Sequence, residues 1–354
     1  MKVLFLVPYP VGEAPSQRFR FEQYFELMRK KGIHFDVSPF LDKEAWNILY
    51  DPGKFIAKFF GIVRGFFRRV KDVLRSRSYD YVFIHREAAP LGPPLFEWLL
   101  AKVFTRKIIY DFDDAIWLPN VSESNRFFSK IKWYHKVSSI CRWSYLISCG
   151  NGYLREYALL FNQNVVVNPT VVDTDNHYNQ LKEHRRGKTV IGWTGTHTTV
   201  RYLDDVLPVL KKLEEESDVE IRIISNAPPS LPLTKLKFIP WNKASEIDDL
   251  LSFDIGIMPL PDEEWTRGKC GFKLIQYLSL GIPAVASPVG INPEILDDGI
   301  NGYLCVTHDQ WLKALRELLE HPEKRQRFGE NGREKIIAHF SAGANAPLFL
   351  RIFA

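Results

Sequence analysis

The sequence predicts an α/β protein built from two doubly wound domains. Three observations lead there. The chain has 354 residues, about twice the length of a usual single domain. Short apolar runs of strand length alternate with segments of helical periodicity along the whole chain, which implies parallel sheets covered by helices. The alternation restarts after a polar stretch at 180–187 (QLKEHRRG), the best linker candidate.

In the first half, 2–8 reads as a buried strand, 16–31 as a helix closed by Gly32, and 33–39 as a second strand. A long basic helix follows over 54–77, then a strand at 81–85, a helix at 95–104 and a strand at 107–111. A strand at 145–148 leads into a short helix, and 165–168 runs into the turn Pro169 to Asp173. In the second half the strands are 189–193, 219–224, 236–239, 255–258, 284–286 and 302–305, and a helix covers 340–353. The domains are therefore expected at 1–180 and 188–339, with 340–354 as a C-terminal helix. In such sheets chemistry gathers at the carboxyl ends of the strands.

Composition is that of an ordinary globular chain, with 45% hydrophobic and 25% charged residues. The net charge of +5 is unevenly spread. Between Lys54 and Arg77 eight basic residues face a single acid, Asp72, and aromatic and aliphatic residues are interleaved with them. This basic amphipathic helix suits either an anionic membrane surface or packing on the first domain with a solvated basic face. No apolar run reaches about 20 residues, and the first residues lead straight into a strand, so neither a spanning helix nor a signal peptide is expected. The expected setting is cytoplasmic, with peripheral contact to the inner face of the membrane as an option. Cys141, Cys149, Cys270 and Cys305 show no metal or CxxC spacing and read as buried free thiols. No nucleic-acid-binding module is recognisable.

The most telling segment is 268–294, GKCGFKLIQYLSLGIPAVASPVGINPE. Phe272, Ile275, Leu278 and Leu280 recur at helical spacing, Gly281-Ile-Pro ends that helix, and 284–286 is a short buried strand. Small residues and glycine precede the helix, with Lys269 and Lys273 beside the positive end of its dipole, which makes a phosphate site. The segment resembles the donor-binding region of the family-4 retaining glycosyltransferases (glycosyl transferases group 1, GT-B fold). Their pattern is two glutamates followed by a Gly-x-Pro strand and a Gly-x-x-Glu turn. Gln276 stands at the second glutamate and Gly268 at the first. The resemblance gives Gln276 the ribose hydroxyls, and places Glu294 as a cap of its helix or a ribose contact. The sugar-binding role of the first acid cannot pass to Gly268.

The strand-to-helix turn Ile191 to Thr199 carries Gly195 and Thr196, with Arg201 just beyond, and such a turn offers backbone N–H groups to a pyrophosphate. By resemblance this turn carries an arginine and then a lysine on the donor diphosphate; here Thr196 stands at the first position and Arg201 near the second, and together with Lys269 and Lys273 the turn is suited to neutralise a leaving nucleoside diphosphate. Trp241 follows a strand where a base would stack. In the first domain the resemblance puts His85, at a strand end, near the transferred sugar, with Arg86 and Glu87 orienting it or meeting acceptor. The cluster Asp111, Asp113 and Asp114 permits three readings: a metal site, polar contacts to an acceptor, or helix capping. Gly12 lies in a loop against the donor phosphate by resemblance. Arg18 and Arg20 either meet an anionic acceptor or sit on a solvated first turn.

The reading is a GT-B protein, two Rossmann-like domains facing across a cleft, acting as a retaining, hexosyltransferase-type enzyme. Its expected partners are a nucleotide-diphosphate sugar and a glycan or lipid-linked acceptor in bacterial envelope polysaccharide or glycoconjugate synthesis. No cofactor and no tightly bound metal are expected, and residues 54–77 offer a possible membrane surface. The alternatives are a nucleotide-sugar epimerase on the same scaffold and a non-catalytic partner subunit.

Overall fold

Branched and aromatic residues in short unbroken runs produce strands buried on both faces, as parallel sheets require. The computed structural model describes residues 1–49, 51, 53–119, 132–185 and 187–354. It divides into two units, Met1–Thr170 with Ala346–Ala354, and Val171–Asn345. The first holds β1 (Lys2–Val7), β2 (His34–Pro39), β3 (Tyr81–His85), β4 (Lys107–Phe112), β5 (Leu146–Cys149) and β6 (Val165–Val167). The second holds β7 (Thr189–Thr194), β8 (Val219–Ser225), β9 (Leu236–Pro240), β10 (Ile255–Met258), β11 (Ala284–Ala286) and β12 (Gly302–Leu304).

Among the described residues each unit forms one six-stranded sheet, ordered β2-β1-β3-β4-β5-β6 and β12-β11-β10-β7-β8-β9. Every pairing is parallel. All carboxyl ends of a sheet therefore lie along one edge. The strand order reverses between β1 and β3 in the first sheet and between β7 and β10 in the second, which opens a crevice at each of those points.

The first core is aromatic. Phe5 packs on Phe21, Phe25, Phe35 and Phe83, and Phe353 approaches the same cluster. The final helix, Ala342–Arg351, brings Phe349 onto Tyr24, with ring centroids 4.2 Å apart. The second core is aliphatic, centred on Ile191, Leu210, Ile221, Ile257 and Leu315. Residues before β7 attach to the second unit: the Lys182 amide donates to the Leu280 carbonyl at 2.8 Å, and its ammonium lies 3.1 Å from Asp254. Arg186 of the expected linker lies outside the described residues.

Two helices differ from expectation. The segment expected as one helix over 16–31 breaks into a turn at Pro15–Arg18, a 3-10 turn at Glu22–Tyr24 and a helix at Phe25–Lys30. Gln17 and Glu22 grip the loop after β1 there, and Arg20 turns inward. Likewise Leu95–Trp98 is helical but continues as a π-turn over Leu99–Val103.

In the second unit a Cβ on Gly329 would sit 2.0 Å from the Gly281 carbonyl oxygen, so the Pro322–Lys335 helix seats here only on a glycine. Gly329→Ala is expected to destabilise this unit by about 1–3 kcal/mol through overpacking, read as a lower midpoint in chemical denaturation.

Candidate active site

The carboxyl edge of the first sheet carries a buried polar row. His85 ends β3, Asp111 lies opposite it on β4, and Ser148 lies opposite Asp111 on β5. Register alone brings the three side chains together on one face. His85 Nδ1 lies 2.8 Å from Asp111 Oδ2, and Ser148 Oγ donates to Asp111 Oδ1 at 2.7 Å. Arg20, from the segment after β1, forms an ion pair with Asp111 and also donates to the Asn168 carbonyl beyond β6. Burial would push the Asp111 carboxyl up, but the Arg20 guanidinium and the bond from His85 hold it well below the usual carboxylate range.

An ionised Asp111 takes the proton-bearing Nδ1 of His85, which fixes the tautomer and leaves Nε2 as the open nitrogen. Nε2 is buried and has no hydrogen-bond partner among the described residues. The side-chain amide of Asn168 and the Thr170 hydroxyl are in the same condition. These two residues flank Pro169 in the segment read from the sequence as a turn, and neither was given a role in the site there. The loop after β1 is held by the Gly12 amide donating to Glu22 Oε2 at 2.8 Å, with Gln17 bonding Glu22 and both backbone groups of Tyr9. Burial raises the Glu22 carboxyl, opposed by its bonds from Gln17 and Gly12 and by the nearby His85 and Arg18.

Several expected acceptor contacts are engaged within the protein. Arg20 is 1% exposed and serves as the counter-charge of Asp111, so it is neither on a solvated turn nor open to an acceptor. Arg86, at φ +59°, bonds Asp113 Oδ1 at 2.7 Å and Asp114 Oδ2 at 2.8 Å. Glu87 pairs with the buried Lys136 at 2.7 Å. Asp113 therefore belongs to the Arg86 pair, and Asp111 to the His85 row. Arg18 is half-buried, its guanidinium 4.8 Å from the Phe19 ring centroid.

In the second unit three cations gather on an aromatic platform at the carboxyl edge. Lys273 Nζ lies 5.2 Å from the Trp193 ring centroid, Lys269 lies 6.0 Å from Tyr202 and 5.8 Å from Trp265, and Arg201 lies 5.3 Å from Tyr202. Lys273 sits in the first turn of the Phe272–Ser279 helix, whose N-cap Gly271 is left-handed at φ +64°. A Cβ at Gly271 would meet Ile295 at 2.2 Å. From the same helix the Tyr277 hydroxyl accepts the Thr194 amide at 3.0 Å, which fixes the end of β7 against the helix. Cations around a helix N-terminus make a site for an anion. Tyr202 and Trp265 were given no role in the sequence, because only the fold brings them beside Lys269.

Beyond β7 the Gly195 amide is taken by the Ile224 carbonyl at 3.0 Å, so this N–H extends the sheet and does not face a ligand. What requires glycine at 195 is the Trp193 ring, 2.5 Å from an added Cβ. Thr196 is exposed, its hydroxyl 2.9 Å from that of Thr198. Gln276 is 4% exposed, and its amide donates to the Tyr178 hydroxyl at 2.7 Å and to Glu246 at 3.4 Å. It thus holds a buried network in place of the ribose contact its position suggests. Trp241 is half-buried after β9, two strands from β7, its amide bonded to Ser225. Glu294 is exposed in the first turn of Asn292–Ile295, which has no side-chain cap bond. A cavity of about 630 Å³ opens beside β10 to β12, lined by Asp204, Asp205, Asp262 and His308 among others. Its three carboxylates set it apart from the cationic platform. Among the described residues no cluster of His, Cys, Asp or Glu has metal-binding geometry, and the four cysteines are buried and form no disulfide.

Residues 230–335 match the family model of glycosyl transferases group 1, so the likeness read from 268–294 extends through most of the second unit. Among curated proteins the chain is 27% identical over 204 residues to an MMP alpha-(1->4)-mannosyltransferase of Mycolicibacterium hassiacum, covering 53% of this chain and 47% of that protein. It is 24% identical over 151 residues to the N-acetyl-alpha-D-glucosaminyl L-malate synthase of Bacillus anthracis, covering 40% and 39%. The chain thus spans less than half the length of these relatives. Among solved structures, sucrose-phosphate synthase from Thermosynechococcus elongatus aligns over 100% of this chain and 98% of its own, with TM-score 0.68 and 12% identity. Anabaena HepE, solved with UDP and glucose, aligns over 100% of both chains with TM-score 0.65 and 12% identity. The fold class is GT-B, with two Rossmann-like units.

Removing the Arg20 charge leaves the Asp111 carboxylate buried without its counter-ion. Arg20→Met is expected to cost about 3–5 kcal/mol, measured by denaturant unfolding. Asp111 titrates below its unfolded value of 3.8, so its contribution is full above that pH and is lost as pH falls toward the folded value. In the variant that window moves up, and acid unfolding is expected to begin at higher pH.

Proposed function

We propose that this protein is a glycosyltransferase that moves a sugar from a nucleotide-diphosphate donor to a hydroxyl of a glycan or lipid-linked acceptor, with retention and without a bound metal. The single observation that supports this most is the cationic platform of Arg201, Lys269 and Lys273 around the N-terminus of the Phe272–Ser279 helix. Lys269 and Lys273 lie within the stretch that matches the family model.

In the proposed reaction the bond between the sugar's anomeric carbon and the phosphate oxygen breaks, and the acceptor oxygen bonds that carbon on the same face. The acceptor proton passes to the leaving phosphate. The three cations and the helix dipole stabilise the diphosphate as its charge grows, the role a metal ion plays elsewhere. The aspartates of the first unit are engaged by arginines, Asp111 by Arg20 and both Asp113 and Asp114 by Arg86, which disfavours a divalent ion on them. His85, held through Nδ1 by Asp111, turns its open Nε2 to the sugar. Asp111 acts through His85 and is a positioning residue, as are Arg20 and Ser148. A place in bacterial envelope polysaccharide or glycoconjugate synthesis fits this substrate class.

Calorimetric titration with UDP-, GDP- and ADP-sugars tests the donor site, starting with UDP because HepE was solved with it. Binding of one nucleotide class is expected to persist in EDTA and to weaken about tenfold or more in Lys273→Ala, the size of one charge-assisted contact. Absence of binding by any nucleotide sugar, or binding that requires a divalent ion, would overturn the assignment.

His85→Gln supplies the second test. It is expected to leave the nucleotide affinity within about twofold and to lower kcat by about a hundredfold or more, measured as sugar transfer or donor hydrolysis. Unchanged turnover would remove His85 from the reaction.

A further inference from the structure

The Phe55–Arg75 helix is seated the opposite way from an ordinary surface helix. Its buried face carries Gly61, Gly65, Arg69, Asp72 and Val73. The two glycines allow close contact, since a Cβ would lie 2.7 Å from Ala45 at Gly61 and 2.7 Å from the Phe40 ring at Gly65. The aromatic and aliphatic stripe lies on the other side. Ile56, Phe59, Phe60, Phe67, Val70 and Leu74 are each between 49% and 75% exposed. A large apolar stripe left open on a long helix marks an interaction surface.

Basic residues border the stripe. Lys71 is exposed, and the Arg64 and Arg75 side chains are 49% and 40% exposed. Asp42, Glu44 and Asp51 pair with basic residues of the helix, yet the patch stays net positive, with eight basic residues between Lys54 and Arg77. A second copy docked on this stripe by a two-fold axis would bring these like charges together. An anionic lipid surface complements both features: the acyl boundary takes the aromatics and the headgroups take the lysines and arginines. No described helix is long and apolar enough to cross a membrane, so the helix would lie in the plane of the surface.

The inner face fixes this helix to the carboxyl edge of the first sheet. Arg69 donates to the Val7 carbonyl at 2.9 Å, at the end of β1, and to the Ala88 carbonyl at 2.6 Å, three residues beyond His85. It also bonds Ser38 at 3.2 Å and Asp72 at 2.8 Å. We infer that the Phe55–Arg75 helix is an in-plane anchor for anionic lipid, joined rigidly through Arg69 to the sheet edge that carries His85. This inference stands apart from the transferase assignment, because it rests on exposure, charge and the Arg69 bonds alone.

Co-sedimentation of the full chain with vesicles tests it, using phosphatidylcholine alone and phosphatidylcholine mixed in equal parts with phosphatidylglycerol. Binding is expected only to the mixed vesicles, to fall with added salt, and to drop about tenfold or more in F59E/F67E, whose side chains leave the apolar phase. The same variant is expected to keep the wild-type melting temperature, since both residues lie outside the core, and Lys71→Glu is expected to weaken binding in the same direction. Failure to bind mixed vesicles, equal binding to neutral ones, or a wild-type dimer in light scattering that F59E/F67E dissociates would overturn the proposal, the last by assigning the stripe to a second copy.

Discussion

The carboxylate of Asp111 is the constraint around which the first unit is arranged. It has no exposure, and an ionised group in that position persists only when its charge and its oxygens are compensated. The compensation comes from four places in the chain: Arg20 after β1, His85 at the end of β3, Ser148 on β5, and Asn168 after β6, which orients Arg20. One side chain thereby sets the strand ends and the tautomer of the buried histidine among them. The break in the helix expected over 16–31 follows from the same demand, because a continuous helix would not deliver Arg20 into the sheet edge while Gln17 and Glu22 hold the preceding loop.

The second unit solves a different electrostatic problem. Arg201, Lys269 and Lys273 are spread over Trp193, Tyr202 and Trp265, whose ring faces attract positive charge. The contrast with the first unit is direct, since there Arg20 and Arg86 are matched to aspartates and carry no surplus charge.

Much of the fold was legible in the sequence. Strands buried on both faces are short unbroken apolar runs, and each of the twelve appears within a residue or two of its expected place. The glycine-lysine entry to the Phe272–Ser279 helix and the strand-end position of His85 were legible for the same reason, being local patterns. What could not be read was pairing at a distance. Gln276 has the position of a ligand contact, yet it meets Tyr178, 98 residues away, and is sealed in. Arg20 lies 91 residues from Asp111, and no periodicity announces that separation. The 54–77 segment showed its two faces plainly, but which face would turn inward depended on Gly61 and Gly65 fitting against Ala45 and Phe40. Glycines in a helix usually read as a weakness; here they select the seating.

Arg69 fastens its helix to main-chain carbonyls of Val7 and Ala88. An acceptor of that kind is supplied by any amino acid, so mutation at either position leaves the bond's chemistry intact provided the backbone path holds. The joint is thereby insulated from sequence drift on the receiving side, and its identity is concentrated in the arginine and its two companions, Ser38 and Asp72. Substitution on the exposed stripe can therefore retune what the helix touches without disturbing how it is attached.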